Sequence, residues 1–193
     1  MHTPHTLIHF LQQLHIFSEA EAIAVAGLFM PRMVQKDEYL VREGMSCTEI
    51  AFIESGIFRS FYTDEQGEEF TYCFRFPDDF IAAYSAFITG NPSVEYIQAI
   101  STACIWTLPK SVVDEQAATN PKWVQLLRFI AEQQFLEMER RYIQLQRDQA
   151  VKRYTTLLQQ QPEYLQKIPL QYLASYLGIS QRHLSRIRKE ITI

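Results

Sequence analysis

The segment 168–191 constrains the fold more than any other part of the chain, because it predicts two short helices joined by a tight turn. Pro169 suits the first position of a helix, where its missing N–H would have no partner. Gly178 can adopt the left-handed conformation that ends a helix, and Ser180 is a good N-cap for the next one. The inward-facing apolar positions recur at helical spacing: Leu173, Ala174, Leu177, Leu184, Ile187 and Ile191. The pattern predicts a helix-turn-helix.

The opposite face of the second predicted helix is polar and basic, and it consists of Gln181, Arg182, Ser185, Arg186 and Lys189. Arg and Gln side chains hydrogen-bond to base edges, while Lys and Arg also pair with phosphates. We therefore predict that these five residues bind DNA. The alternative is a helical hairpin that only closes a domain and whose basic face is simply solvated.

The net charge of −4 hides a strong asymmetry along the chain. Residues 147–193 contain eight Lys or Arg against three acids, a net charge of +5, and the remainder carries −9. A basic end on an acidic body predicts a polyanion contact confined to that end. The excess is modest, so we expect a groove-sized contact and not a general DNA coat.

Cysteine spacing and hydropathy exclude several classes of protein. Cys47, Cys73 and Cys104 are far apart, which argues against zinc and iron–sulfur sites, and their odd number argues against a disulfide scaffold. No apolar run approaches the roughly 18 residues of a membrane span, and the N-terminus does not resemble a signal peptide. We expect a soluble, cytoplasmic protein with no membrane partner.

Enzyme motifs are missing from the sequence. Residues 35–109 contain no histidine, which argues against a cupin-type metalloenzyme. No nucleophile elbow, phosphate loop or zinc-protease motif occurs. His5 and His9 have metal-ligand spacing but no third ligand nearby. We expect no catalytic site, no bound metal and no cofactor.

Three regions with different patterns of apolar residues follow one another before residue 148. Residues 1–30 have helical apolar spacing, with Ser18 as an N-cap. Short β-branched and aromatic runs separated by turn signals occupy residues 35–109 and predict a small sandwich, barrel or jelly roll, interrupted by a helical turn at 80–87. Residues 121–147 contain no Gly and no Pro after Pro121, which predicts a helix of about 40 Å.

Two apolar stripes run along the predicted long helix. The first stripe is Val124, Leu127, Ala131, Phe135, Met138, Tyr142 and Leu145, and the second is Leu126, Phe129, Leu136 and Ile143. Two stripes need two partners, so we expect one to pack on the β-region and the other on the same helix of a second chain. The alternative is a single wide face buried within one subunit.

The order of these elements resembles the Crp/Fnr family of bacterial transcription regulators. The resemblance covers most of the chain and is carried by residues 40–44 (LVREG), 52–57 (FIESGI), 64–67 (DEQG), 78–81 (DDFI) and the tail from Ile168. It implies an α+β fold: an N-terminal β-roll of the jelly-roll type with flanking helices, a long dimerisation helix and a C-terminal helix-turn-helix. The implied boundaries are 1–118, 119–147 and 148–193.

The resemblance also implies a homodimeric regulator that binds an inverted-repeat DNA operator, with RNA polymerase as a further partner and no enzymatic activity. The family's base-contacting positions fall on Gln181, Arg182 and Arg186, which leaves Ser185 and Lys189 for phosphates. The family's two-stranded wing is missing before Ile193. We expect either a wingless subgroup or weaker DNA binding.

Cyclic AMP is not an expected ligand. Family members that bind it use a Gly-Glu pair and an Arg-Ser/Thr pair, which fall here on Ala82–Ala83 and Ser93–Val94. Losing the charged partner of a desolvated phosphate would abolish micromolar binding. The iron–sulfur branch needs N-terminal cysteines, which residues 1–30 lack, and no residue specifically indicates haem.

Another effector, or none, remains open. The polar candidates for an alternative ligand site are Arg59, Tyr62, Tyr72, Arg75, Tyr84, Ser85 and Glu137. Two other classes compete with the regulator. An AraC-type regulator would need two helix-turn-helix units, for which too few residues follow Arg147. A ligand-sensing β-roll protein that acts through a protein partner, with little DNA affinity, is the main alternative.

Overall fold

A computed structural model of the chain describes residues 4–191, so the ends of the predicted N-terminal helical region and of the C-terminal tail lie outside the described residues. The helices are α1 (His5–Gln13), α2 (Glu19–Ala26), α3 (Tyr84–Thr89), α4 (Lys110–Thr119), α5 (Pro121–Arg147), α6 (Ala150–Gln160), α7 (Pro162–Lys167), α8 (Leu170–Tyr176) and α9 (Gln181–Ile191). The strands are β1 (Met30–Val34), β2 (Tyr39–Val41), β3 (Glu49–Ser55), β4 (Phe58–Thr63), β5 (Glu69–Arg75), β6 (Phe80–Ile81), β7 (Tyr96–Ala99) and β8 (Ala103–Pro109). No helix in the described range is long and apolar enough to cross a membrane.

The chain divides into two compact units. Unit 1 comprises the described parts of Met1–Ser60 and Phe74–Ala131, and unit 2 those of Phe61–Cys73 and Glu132–Ile193. Strands β4 and β5 and helix α5 each run from one unit into the other. The hairpin formed by residues 61–73 therefore belongs to the same unit as the C-terminal helices.

Two four-stranded sheets form the β-roll, in the orders β1-β8-β3-β6 and β2-β7-β4-β5. Phe52 on β3 lies opposite Trp106 on β8 in the antiparallel ladder, and both side chains are fully buried. The ring of Phe10 on α1 lies 5.5 Å from that of Phe52 and 5.6 Å from that of Phe80. Burial of such large aromatic surfaces is the main force that packs α1 on the first sheet.

Gly56 occupies a tight turn of the roll. Its φ is +97°, and a Cβ at this position would lie 2.3 Å from the Cβ of Ala103. Only glycine avoids both the backbone strain and the clash, because it has no Cβ. Gly44 and Gly67 also lie in turns with positive φ, at 80° and 83°.

The predicted helical start is confirmed for α1 and α2, where Ser18 and Glu21 form a reciprocal capping box. The prediction is wrong at Met30, which begins β1. The apolar pattern of the sequence did not indicate this strand, because only Val34 of its five residues is buried. Residues 80–87 also differ from the expected helical turn, since Phe80–Ile81 form β6 and the helix begins at Tyr84. Helices α6 and α7 were not predicted.

Candidate DNA-binding site

Helices α8 and α9 form the predicted helix-turn-helix. Gly178 has the left-handed φ of +66° expected of it, and Ser180 caps α9 by accepting a hydrogen bond from the His183 N–H at 3.2 Å. Pro169 is the N-cap of α8 and not its first residue, and its carbonyl accepts the Leu173 N–H at 3.0 Å. The apolar positions Leu173, Ala174, Leu177, Leu184 and Ile187 are buried, and Ile191 is half-buried. These contacts fix α9 on α8.

The polar side of α9 faces solvent. Of the five predicted DNA-binding residues, Ser185 is half-buried and the other four are exposed. The exposed four are Gln181, Arg182, Arg186 and Lys189. His183 and Arg188 are also exposed on this helix, although the sequence pattern did not single them out. The position of His183 directly after Arg182, in the first turn of the helix, was the available signal.

Arg153 connects the turn of the helix-turn-helix to the end of α5. Its Nε and Nη2 donate to the carbonyl of Leu177 at 3.1 and 2.8 Å, and its Nη1 donates to the carbonyl of Asp148. Leu177 is the C-cap of α8, so the guanidinium satisfies a carbonyl at the end of a helix. A hydrogen bond from Arg147 to the Asp148 carboxylate holds the pKa of that carboxyl below its ordinary value. Asp148 at the end of α5 therefore stays ionised, and both its carboxylate and its backbone carbonyl accept hydrogen bonds from arginines.

Helix α5 has different surroundings along its length. Near its start, Trp123, Leu126 and Ile130 are buried in the core of unit 1, although Trp123 and Ile130 belong to neither predicted stripe. In unit 2 its apolar side chains are exposed. They are Phe135 (64%), Leu136 (48%), Met138 (61%), Tyr142 (67%), Ile143 (44%) and Leu145 (41%). We name this set the α5 apolar face.

Residues 93–95 occupy the position at which the resemblance implies a phosphate-binding pair, and their polar groups hydrogen-bond to one another. The Ser93 hydroxyl donates to the Glu95 carbonyl at 2.9 Å and accepts the Glu95 N–H at 3.2 Å. The Ser93 N–H donates to the Met45 carbonyl at 2.8 Å. Both Ser93 and Glu95 are buried, so a carboxylate occupies the neighbourhood where an anion would have to enter. Ala82 and Ala83 supply no side-chain hydrogen bond to a ribose.

A cavity of about 60 Å³ lies in the roll of unit 1. Its lining consists of Leu40, Val41, Ser46, Cys47, Thr48, Glu49, Ala51, Ile81, Ala82 and Ile97. Burial raises the pKa of the Cys47 thiol, which keeps it protonated. Pockets for drug-sized ligands measure about 300–1,000 Å³, so this cavity accommodates only a few small molecules such as water. The residues present do not fit a cyclic nucleotide.

The seven candidate ligand residues are distributed over both units. In unit 1, Arg59 is buried and donates from Nε and Nη2 to Gln98 Oε1 at 2.9 and 2.7 Å. The Tyr84 hydroxyl donates to the Leu127 carbonyl at 3.5 Å, and burial raises the pKa of Tyr84. Arg75 is half-buried and Ser85 is exposed.

The other three candidates lie in unit 2. Tyr62 stacks on Phe70 with 5.5 Å between ring centroids, Tyr72 is half-buried, and Glu137 accepts a weak hydrogen bond from the Cys73 thiol at 3.7 Å. None of the seven candidates belongs to the lining of the described cavity. Their role in ligand binding stays a prediction.

Known proteins resemble this chain in sequence. The cyclic nucleotide-binding domain family matches residues 31–120. The anaerobic regulatory protein of Haemophilus influenzae is 31% identical over 99 residues, which are 51% of this chain and 38% of that protein. The regulatory protein HlyX of Actinobacillus pleuropneumoniae is 32% identical over 89 residues, 46% of this chain and 36% of that protein. The chain thus spans well under half the length of these curated relatives.

Solved structures share the arrangement of helices and strands. FixK2 from Bradyrhizobium japonicum has a TM-score of 0.75 and 17% identity, covering 85% of this chain and 84% of that one. A Crp/Fnr-family protein from Eubacterium rectale has a TM-score of 0.75 and 16% identity, covering 95% and 88%. These likenesses confirm the expected α+β fold. Residues 31–120 thus match the cyclic nucleotide-binding domain family, and the β-roll, the long helix and the helix-turn-helix together have the fold of these solved structures, one of which is described as a Crp/Fnr-family protein.

Proposed function

We propose that the chain is a homodimeric, DNA-binding transcription regulator whose α9 reads the major groove. The observation that carries the proposal is the exposed basic side of α9, held on α8 by Leu184 and Ile187. Such a geometry leaves the guanidinium groups of Arg182 and Arg186 free of the apolar core. Gln181 suits an adenine edge, the two arginines suit guanine edges, and Ser185 and Lys189 suit phosphates.

The α5 apolar face supports a dimer of this chain. Six large apolar side chains exposed on one helix form a patch that water solvates poorly, and a second copy would bury it. Two-fold pairing would place two α9 helices for half-sites one helical turn apart, about 34–36 Å. A regulator of this kind would act in the cytoplasm on the chromosome, with RNA polymerase as its further partner.

Selection of bound sequences from a random DNA pool tests this function. We expect an inverted repeat with half-site centres one helical turn apart, because two-fold symmetry of the protein imposes two-fold symmetry on its operator. Recovery of a single unpaired half-site would contradict the dimer. Recovery of no sequence at moderate salt would contradict DNA binding and favour the alternative, a sensor that acts through a protein partner.

Cyclic AMP is expected not to bind at micromolar concentrations. The Ser93 hydroxyl is engaged with Glu95, the Glu95 carboxylate is buried nearby, and no arginine occupies position 93 or 94. A phosphate entering this segment would lose water without gaining a charged partner. Isothermal calorimetry should give no saturable heat, and thermal unfolding should not shift with added nucleotide. A micromolar Kd would contradict the assignment of a degenerate pocket.

A further inference from the structure

Strand β5 lies at the edge of its sheet, so its outer backbone groups are not paired within the sheet and can bond to another element. Residues two apart on a strand direct their backbone groups to the same side. Glu69 and Thr71 are such a pair, and both belong to the hairpin of residues 61–73 in unit 2. The partner of this edge therefore determines what the hairpin is attached to.

Ser175 on α8 is that partner. Its Oγ accepts the Thr71 N–H at 2.8 Å and donates to the Glu69 carbonyl at 2.7 Å. One hydroxyl thus meets a carbonyl and the N–H two residues later, which is the pair of groups that a neighbouring strand would engage. A hydroxyl can do both because it is a donor and an acceptor at one atom, whereas alanine can do neither.

The neighbours of Ser175 reinforce the attachment. Tyr176, the next residue of α8, lies under the guanidinium of Arg141 on α5, with 3.9 Å from its Cζ to the ring centroid. Burial lowers the pKa of Arg141, as expected of a cation withdrawn from water. The thiol of Cys73, which is on the same strand as Thr71, donates a hydrogen bond to the Glu137 carboxylate on α5. Helix α8 therefore contacts the hairpin through Ser175 and contacts α5 through Tyr176.

The hairpin carries a concentrated negative charge. Four acids lie within six of its residues, and Glu65 and Glu68 among them are exposed. They are Asp64, Glu65 and Glu68 in the turn and Glu69 at the start of β5. The Asp64 carboxylate accepts the N–H groups of Gln66 and Glu68, both at 2.9 Å, which orders the turn. The acidic turn directly precedes the strand that Ser175 bonds, so its negative charge would oppose the approach of a phosphate backbone to α8.

We propose that Ser175 is a latch that holds the acidic hairpin 61–73 on the helix-turn-helix and lowers the affinity of the chain for DNA. The inference rests on the proposed DNA-binding function and adds an autoinhibitory contact to it. Release of the latch detaches strand β5, and with it the acidic turn that precedes this strand, from α8. Strand β4 enters the hairpin from unit 1, and strand β5 leaves the hairpin into unit 1.

Ser175→Ala tests the latch, with Gln171→Ala, an exposed position of the same helix, as the matched control. Loss of two hydrogen bonds should speed amide exchange at Thr71 and tighten binding to the selected operator, each by about threefold to tenfold. Ser175→Thr keeps the hydroxyl and should restore slow exchange. Glu65→Gln with Glu68→Gln should tighten DNA binding in the native chain and add little to Ser175→Ala.

The outcomes separate the latch from the DNA-binding function. Unchanged exchange at Thr71 in Ser175→Ala would overturn the latch. Faster exchange together with unchanged or weaker operator binding would overturn its inhibitory role while leaving DNA binding intact. Absence of operator binding in every variant would overturn the proposed function itself, and the inhibition with it.

Discussion

Replacing both Arg182 and Arg186 with alanine is expected to weaken binding to the selected operator by about 10²- to 10⁴-fold, because each arginine that reads a guanine edge contributes roughly 1–3 kcal/mol. Both side chains are exposed on α9, whose core contacts are made by Leu184 and Ile187 on the other side. The substitutions should therefore leave the fold unchanged. The affinity of the double variant should approach that of the native chain for random DNA.

Fluorescence anisotropy with labelled operator and labelled random DNA measures both affinities. Lys36→Ala is the control for a general loss of positive charge, since Lys36 is exposed in unit 1, far along the chain from α9. We expect Lys36→Ala to change operator affinity less than twofold, as surface substitutions outside a contact usually do. Equal effects of Lys36→Ala and of Arg186→Ala would show that charge alone, and not a groove contact, governs binding. A double arginine variant that keeps operator preference would remove α9 as the reading element.

Local patterns were enough to predict the helix-turn-helix. The signals at Gly178, Ser180, Leu184 and Ile187 all concern residues within a few positions of one another, and each has the expected conformation or burial. Caps, turns and helical stripes are determined by neighbours in sequence, so they can be read without knowing the tertiary fold. The one difference, Pro169 at the N-cap, is a shift of one position.

Long-range contacts explain what the sequence could not predict. Ser175 bonds to residues more than a hundred positions away, and no local pattern distinguishes it from a solvent-exposed helical serine. Trp123 and Ile130 are buried because the β-roll packs there, which a helical stripe by itself does not reveal. β1 is a strand because it pairs with β8, even though most of its side chains are exposed.

The candidate ligand residues show the same difficulty within the β-roll. Arg59 and Tyr62 are three residues apart on β4, and an odd separation on a strand directs them to opposite faces. A list chosen by polarity alone therefore mixes faces. Arg59 is buried with Gln98, whereas Tyr62 is 47% exposed and stacks on Phe70. Which face lines a cavity depends on the second sheet, and that pairing is not encoded in any single strand.

Dimer disruption should have an effect as large as the loss of the two arginines. Met138→Glu with Tyr142→Glu places two carboxylates at exposed centres of the α5 apolar face, where a two-fold axis would bring like charges together. We expect the native chain to be a dimer and the variant a monomer at micromolar concentration. Operator affinity should fall about 10²- to 10³-fold, because one α9 can no longer recruit the second half-site.

Sedimentation velocity measures the mass of each variant, and anisotropy measures its affinity. Gln133→Glu is the matched control, since it adds a carboxylate at an exposed polar position of the same helix. It should remain dimeric and bind the operator normally. Thermal unfolding of the β-roll should be similar in the native chain and both variants, because Trp123, Leu126 and Ile130 anchor α5 independently of Met138 and Tyr142. A native monomer, or a doubly charged variant that still dimerises, would show that this face does not join two copies.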